Sequence, residues 1–282
     1  MDLLVSIVTV SLNAESTIER TLASVALQRV GFGIEHICVD GGSRDRTRAM
    51  IDGWASLNSQ IKRIYEPDRG IFDAMNKGLR AARGEYVLYL NADDFLVSPD
   101  SLALALCGCV PGGADNPGLI VGDAVMGKIG QVGFWRSRRV PRSLFRLRGL
   151  GMYPVHQGQF SQRRLLEALN GFDSRLRLAA DINQYYDLER RFEPSIRFVG
   201  RDVTFMEAGG AANAGLNAMY RGSLEIYRHL SVEVGAARAS LMVLVKTLQS
   251  ILEIRFGRCP HGPWWHATPP GLLSAEKSET AK

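Results

Sequence analysis

Gly84-Glu85-Tyr86-Val87-Leu88-Tyr89-Leu90-Asn91-Ala92-Asp93-Asp94-Phe95 sets an aromatic and aliphatic run of buried-strand length directly before two adjacent carboxylates. In α/β proteins the carboxyl end of a parallel strand faces the crevice where ligands bind. An aspartate there can hold a divalent cation on a diphosphate. Asp93 is the candidate metal ligand on this ground. A plain strand-to-turn junction, with Asp93 and Asp94 supplying turn hydrogen bonds, uses the same residues.

Outward from this stretch, strand and helix patterns alternate. Residues 3–12 are rich in Val and Ile and stop at Asn13. Ser16-Thr17-Ile18-Glu19 reads as a capping box before a helix with Ile18, Leu22, Val25 and Ala26 on one face. Residues 34–39 form a second strand that ends at Asp40, ahead of Gly41-Gly42-Ser43, with Ser43 as cap of a helix to about Trp54. A short strand at 61–65 leads to a helix that turns Ile71, Met75, Leu79 and Ala82 inward. The alternation predicts right-handed crossovers and an α/β, mostly parallel sheet with helices on both faces. Asn13, Asp40 and Asp93 then share one sheet edge.

Further along, Ser98-Pro99 predicts a helix start, 111–118 a surface loop, and 119–123 and 128–135 strands. Helices are expected at 161–169 and 181–192, extended chain at 196–207, and a loop around Gly209-Gly210 with the flexibility to close over a site. From Ala218 the chain reads as helical to about Phe256. Leu241, Leu244, Val245, Leu248 and Leu252 make an apolar stripe there, read as core packing, with docking on a membrane surface as the alternative. Residues 257–282 read as a weakly ordered tail.

The 282 residues carry a net charge of +5, with 46% hydrophobic and 22% charged residues, a balance that excludes a disordered chain and suffices for a large core. Arg136, Arg138, Arg139, Arg142, Arg146 and Arg148 crowd one interval with Leu144, Phe145 and Leu147, which suits an anionic, lipid-attached partner. Cys38, Cys107, Cys109 and Cys259 lack metal-site spacing and read as reduced thiols of a cytoplasmic protein. No basic segment precedes the first apolar run, and no uninterrupted apolar segment reaches the ~20 residues of a membrane span.

These residues, in this order, resemble family 2 glycosyltransferases of the GT-A fold, the Rossmann-like kind that builds bacterial surface polysaccharides or glycolipids. The resemblance rests on Ser6-Ile7-Val8-Thr9-Val10, Val39-Asp40-Gly41-Gly42-Ser43-Arg44-Asp45-Arg46-Thr47 and Glu66-Pro67-Asp68-Arg69-Gly70-Ile71-Phe72-Asp73-Ala74-Met75-Asn76-Lys77-Gly78. It continues through Asn91-Ala92-Asp93-Asp94, His156-Gln157 and Leu178-Ala179-Ala180-Asp181. It implies a nucleotide-diphosphate sugar donor contacted by Thr9, Asn13, Asp40, Asp68, Asn91 and Asp93. It implies Mn²⁺ or Mg²⁺ on Asp93, and Asp181 as the base of an inverting displacement. Asn91 departs from the Asp-x-Asp pattern of the family at its first position. His156 and Asp123 are expected on the side of a saccharide or lipid-linked saccharide acceptor. Asp68 equally suits a helix cap, and Asp181 an N-cap.

The expected division is a glycosyltransferase domain over 1–215, with a nucleotide-binding half to about 98 and an acceptor half from about 99, then a C-terminal helical extension at 216–256. Peripheral contact with the inner face of the cytoplasmic membrane is expected, and no nucleic acid partner. Two rival readings are a non-catalytic nucleotide-sugar-binding subunit, suggested by Asn91, and a nucleic-acid-binding module, suggested by the basic interval. The latter leaves Asp40, Asp93 and Asp181 without a role.

Overall fold

A computed structural model describes residues 2–127, 135–138, 153–207 and 216–256. The arginine-rich interval past Arg138, the side chains of Arg136 and Arg138, the Gly209-Gly210 loop, Cys259 and the 257–282 tail lie outside the described residues.

The chain runs β1 (Leu3–Ser11), α1 (Ile18–Ala26), β2 (Gly33–Asp40), α2 (Thr47–Leu57), β3 (Ile61–Tyr65), α3 (Ile71–Ala81) and β4 (Tyr86–Tyr89). It continues through β5 (Phe95–Leu96), α4 (Ser101–Ala105), β6 (Leu119–Gly127), β7 (Trp135–Arg138), β8 (Gln159–Gln162) and α5 (Arg163–Ala168). Last come α6 (Ala180–Phe192), β9 (Ile196–Glu207), α7 (Leu216–Val234) and α8 (Ala236–Phe256). The strands form one sheet in the order β3-β2-β1-β4-β8-β6-β9-β5, with β7 against β6. β3, β2, β1 and β4 are mutually parallel. β8 runs antiparallel between β4 and β6, and β6 is parallel to β9.

β4 explains the apolar run that opened the sequence reading. Tyr86, Leu88 and Leu90 enter one core layer with Leu102 of α4 and Phe160, while Val87 and Tyr89 enter the opposite layer with Phe72, Met75 and Leu166. Period-2 alternation buried on both faces leaves no polar position in the strand. A third cluster joins Leu119 and Val121 to Tyr185 of α6, Ile226 and Leu230 of α7, and Ala239 and Met242 of α8.

Several local expectations change. No side-chain cap forms at the start of α1. Instead the segment ahead of α1 is tied to the loop before α2, with Ala14 N–H donating to Thr47 Oγ1 and Glu15 N–H to Asp45. Ser43 likewise bonds Asp40 and the Asn13 N–H instead of capping α2, which begins four residues later. α4 starts three residues past Ser98, whose hydroxyl accepts from Asp100 N–H. The C-terminal helix is two helices, broken at Gly235 with φ 84°. On α8 the buried side is Ala239 and Met242, whereas Leu241, Leu244 and Leu248 are 47%, 54% and 49% exposed. At these three positions the stripe is therefore not core, while Val245 is partly buried and the Leu252 side chain lies outside the described residues. Among the described residues no helix is long and apolar enough to cross a membrane.

Candidate active site

Sheet direction collects the candidate residues at one edge. Beyond Tyr89 the chain keeps pairing with β1, through Leu90 N–H to Val8 O and Ala92 N–H to Val10 O, and then turns at Asn91–Asp94. The β4–β8 register pairs Tyr86 with Gln162 and Val87 with Ser161, so its continuation sets Gln157 beside Asn91. The β6–β8 register pairs Val121 with Gln159 and continues to Asp123 beside Gln157. Gly158 has no room for a side chain, because a Cβ would fall 2.4 Å from Gly122 O. That close approach seats the 3-10 turn His156–Gly158 directly on β6.

His156 Nδ1 lies 3.0 Å from Asp181 Oδ2. Asp181 stands in the first turn of α6. Burial pushes its carboxyl up. The His156 hydrogen bond and charge, the Ile182 N–H and Lys246 outweigh that and hold it below the usual carboxylate range. Asp181 is therefore ionised at neutral pH, and Nδ1 donates. Asp181 Oδ1 and His156 Nε2 are buried with no hydrogen-bond partner, as are Asn91 Oδ1, Gln157 Oε1, Gln159 Nε2 and Thr204 Oγ1. Buried polar atoms are nearly always paired, so these atoms are candidates for bonding a polar ligand.

The turn at the end of β4 separates the two carboxylates. Asp94 is 2% exposed and one of its oxygens accepts from Glu207 N–H at 3.2 Å. Its other oxygen, facing the amides of Gln157 and Asn91, has no hydrogen bond of normal geometry. Burial, and then the neighbouring Asp93, push Asp94 well above the usual range. Asp93 is only partly buried. Burial and Glu207 raise it, with Arg20 and a backbone N–H opposing. Arg20 bridges Asp93 O and Glu207 Oε2, at 3.4 and 2.7 Å, and clamps the turn to the end of β9. Neither Arg20 nor Glu207 belongs to a motif, so sequence reading passed over both.

Among the described residues no group of three or more His, Cys, Asp or Glu side chains is set to hold a metal. The donors at the turn fit a hard cation all the same. They are all oxygens, Asn91 Oδ1 lacks a partner, and Asp93 carries negative charge that its surroundings do not neutralise. A cation bound to a diphosphate needs only one or two protein carboxylates.

On the other side, Asp40 is fully buried and is not a surface for a ligand. It accepts from Gly42 and Ser43 N–H, from the Ser11 and Ser43 hydroxyls, and from Arg48 Nε at 2.6 Å. Burial raises it, and these donors together bring it below the usual range. Its place in the structure is to shape the loop after β2. Thr9 also departs from expectation. It is fully buried, with its hydroxyl 2.8 Å from His36 Nε2, because it faces the interior between β1 and β2. Asn13 is exposed with φ 52°, and joins the two loops by giving N–H to Ser43 and accepting Arg44 N–H. Asp68 packs on Gly41, where a Cβ would fall 1.8 Å from its Oδ2. Asp123 sits partly buried on β6. Lys77 holds Pro67 O at 2.6 Å instead of facing solvent, and Asn76 pairs with both backbone groups of Phe172.

Residues 6–106 match the family model described as glycosyl transferase family 2. This segment is thus similar to family 2 glycosyltransferases. Glycosyltransferase Rv1514c of Mycobacterium tuberculosis H37Rv is 33% identical over 186 residues, which cover 63% of this chain and 65% of that protein. The PGL/p-HBAD biosynthesis glycosyltransferase of Mycobacterium bovis BCG is 31% identical over 177 residues, 62% of this chain and 66% of that one. The match thus spans just under two thirds of these relatives' lengths. Among solved structures, the mannosyltransferase PcManGT of Pyrobaculum calidifontis, in complex with GDP-Man and Mn²⁺, superposes with a TM-score of 0.61 at 18% identity, covering 90% of this chain and 74% of that one. TarS of Staphylococcus aureus, residues 1–349 with UDP, gives 0.55 at 18%, covering 88% and 72%. The shared architecture is the GT-A fold.

Proposed function

We propose that this chain is a family 2 glycosyltransferase that transfers a sugar from a nucleotide-diphosphate donor to a hydroxyl of a saccharide or lipid-linked saccharide, with inversion at the anomeric carbon. The observation that carries the proposal is Asp181. One of its oxygens is held by His156 and the other is buried without a hydrogen bond of normal geometry, free to take a proton. In the step we infer, the acceptor oxygen bonds the anomeric carbon and its proton passes to Asp181 Oδ1. The bond from that carbon to the diphosphate breaks, and its electron pair leaves on phosphate. His156 keeps the carboxylate turned toward the acceptor.

Asp93, with Asn91, would hold Mn²⁺ or Mg²⁺. When bound, such an ion supplies positive charge to the departing diphosphate. Asn13 and Asp68 are proposed to border the nucleotide, and Asp123 the acceptor. Asp40 would act on the nucleotide through the loop it shapes. The glycolipid role named for the mycobacterial relative and the UDP and GDP-Man complexes of the fold relatives support this donor and acceptor class. The exposed Leu241, Leu244 and Leu248 support peripheral docking on the cytoplasmic face of a membrane.

The test is thermal stabilisation by a panel of nucleotide sugars, with and without Mn²⁺, followed by turnover of any donor that binds. Stabilisation in the wild type that Asp93→Ala abolishes, with turnover that Asp181→Asn abolishes, is expected. A donor that binds without turnover on any acceptor would support the binding-subunit reading that Asn91 suggests. No stabilisation by any donor would overturn both.

A further inference from the structure

A cleft of about 360 Å³ opens between the chain segment just ahead of α6 and the first half of α7, lined by Arg177, Leu178, Arg221, Leu224, Glu225 and Arg228. We propose that it binds a phosphate group, and that this is where the transferase reading above would anchor an anionic acceptor.

The charge balance of the cleft carries the proposal. Arg221 and Arg228 are seven positions apart, two turns of one helix, so both project from the same face of α7. Glu225, between them, is the single carboxylate of the lining. Its oxygens are taken by the backbone, accepting from Arg177 N–H at 3.1 Å, Leu178 N–H at 2.9 Å and Ala179 N–H at 3.0 Å. Glu225 therefore anchors the entry to α6 and makes no ion pair with the arginines. Among the described residues neither Arg221 nor Arg228 has a carboxylate partner. Arg177 gives one N–H to Arg69 O at 2.7 Å and keeps its others. Three arginines thus line one cleft with no carboxylate partner among the described residues, and planar guanidinium forks suit phosphate oxygens. Leu178 and Leu224 add an apolar wall, which fits a phosphate ester that also carries an apolar group.

Position ties the cleft to the chemistry. Leu178 and Ala179 lead directly into α6, whose first turn holds Asp181, and Arg177 reaches the loop after β3. A phosphate held here lies beside the segment that enters α6, two to four positions ahead of the candidate base.

The experiment titrates the full chain with inorganic phosphate, and separately with phosphatidylglycerol vesicles against pure phosphatidylcholine vesicles, in the wild type and in Arg221→Gln/Arg228→Gln. Both side chains are exposed, so the double variant keeps its fold, and an unchanged melting temperature without ligand checks this. A loss of tenfold or more in phosphate affinity identifies a site for a free phosphorylated group. Loss confined to the anionic vesicles identifies a lipid headgroup as the source. Equal binding by both proteins in both arms overturns the proposal. Donor stabilisation is read in parallel, because its absence in the wild type sinks the transferase reading, whereas its presence beside arginine-independent phosphate binding sinks only the cleft.

Discussion

His156 Nδ1 donates to Asp181 Oδ2 across 3.0 Å, joining a 3-10 turn seated on β6 to the first turn of α6, 25 positions later in the chain. The bond uses one carboxylate oxygen and fixes the direction of the other. Removing it costs orientation and not the base itself. We expect His156→Ala to lower kcat about 10–100-fold with little change in donor KM, and Asp181→Asn to lower it about 10²–10⁴-fold, the range of general-base contributions. Steady-state kinetics on both variants check this. An unchanged kcat in His156→Ala would leave the dyad without a catalytic part.

The pH profile separates orientation from structure. Asp181 is held below the usual carboxylate range, so the acid limb of kcat in the wild type should fall below the pH at which an ordinary aspartate titrates. In His156→Ala the burial that raises the carboxyl persists while the hydrogen bond and charge that lower it are gone. The limb should then move to higher pH. A limb that stays in place would show that the group titrating in that profile is not Asp181.

The contrast between the two halves of the site follows from the distance over which each part is specified. Strand and helix order through β4 was legible because period-2 and 3.6 patterns are local, and β4 itself is apolar on both faces. β8 escaped notice because Gln159-Phe160-Ser161-Gln162 is mostly polar and owes its extended form to pairing on both sides with β4 and β6. The same distance dependence hid the His156–Asp181 bond and the Arg20–Glu207 clamp. It also hid the contacts of the segment ahead of α1, where Glu15 N–H bonds Asp45 and no side-chain cap forms. Thr9 was placed at the nucleotide by the resemblance, whereas its hydroxyl is buried against His36. Burial holds that imidazole at about 4, and so neutral.

Asp93 and Asp94 should respond in opposite ways to amide substitution. Asp93→Asn removes the partly exposed carboxylate and should abolish metal-dependent stabilisation by donor. Asp94 has its carboxyl raised by burial, so its ionised form opposes folding, increasingly as pH rises through the folded value. Asp94→Asn keeps an acceptor for Glu207 N–H and removes the buried carboxylate. It should raise Tm at pH 7, by roughly 2–4 °C if the gain is about 1 kcal/mol, and the gain should shrink on acidification. Melting curves at pH 4 and 7 test this, and a lower Tm at pH 7 would contradict it.

Asp40 gives the reverse sign. Its carboxyl lies below the usual range, so the stability it contributes is present above the unfolded value and is lost as pH falls through the folded one. Asp40→Ala leaves Gly42 and Ser43 N–H and the Arg48 guanidinium without their acceptor. A loss of about 3 kcal/mol is expected at neutral pH, at the low end for a broken buried pair because Arg48 is itself part-exposed. Asp40→Asn keeps an acceptor for the two N–H groups and should lose less than half as much. Urea unfolding at pH 7 should rank wild type above Asn above Ala, and at pH 3 the wild type and Asn curves should converge. If the gap between those two widened on acidification, Asp40 would not be the ionised hub of the loop after β2. Because that loop also packs Gly41 against Asp68, the Ala variant should weaken donor binding as well, without contact between Asp40 and the nucleotide.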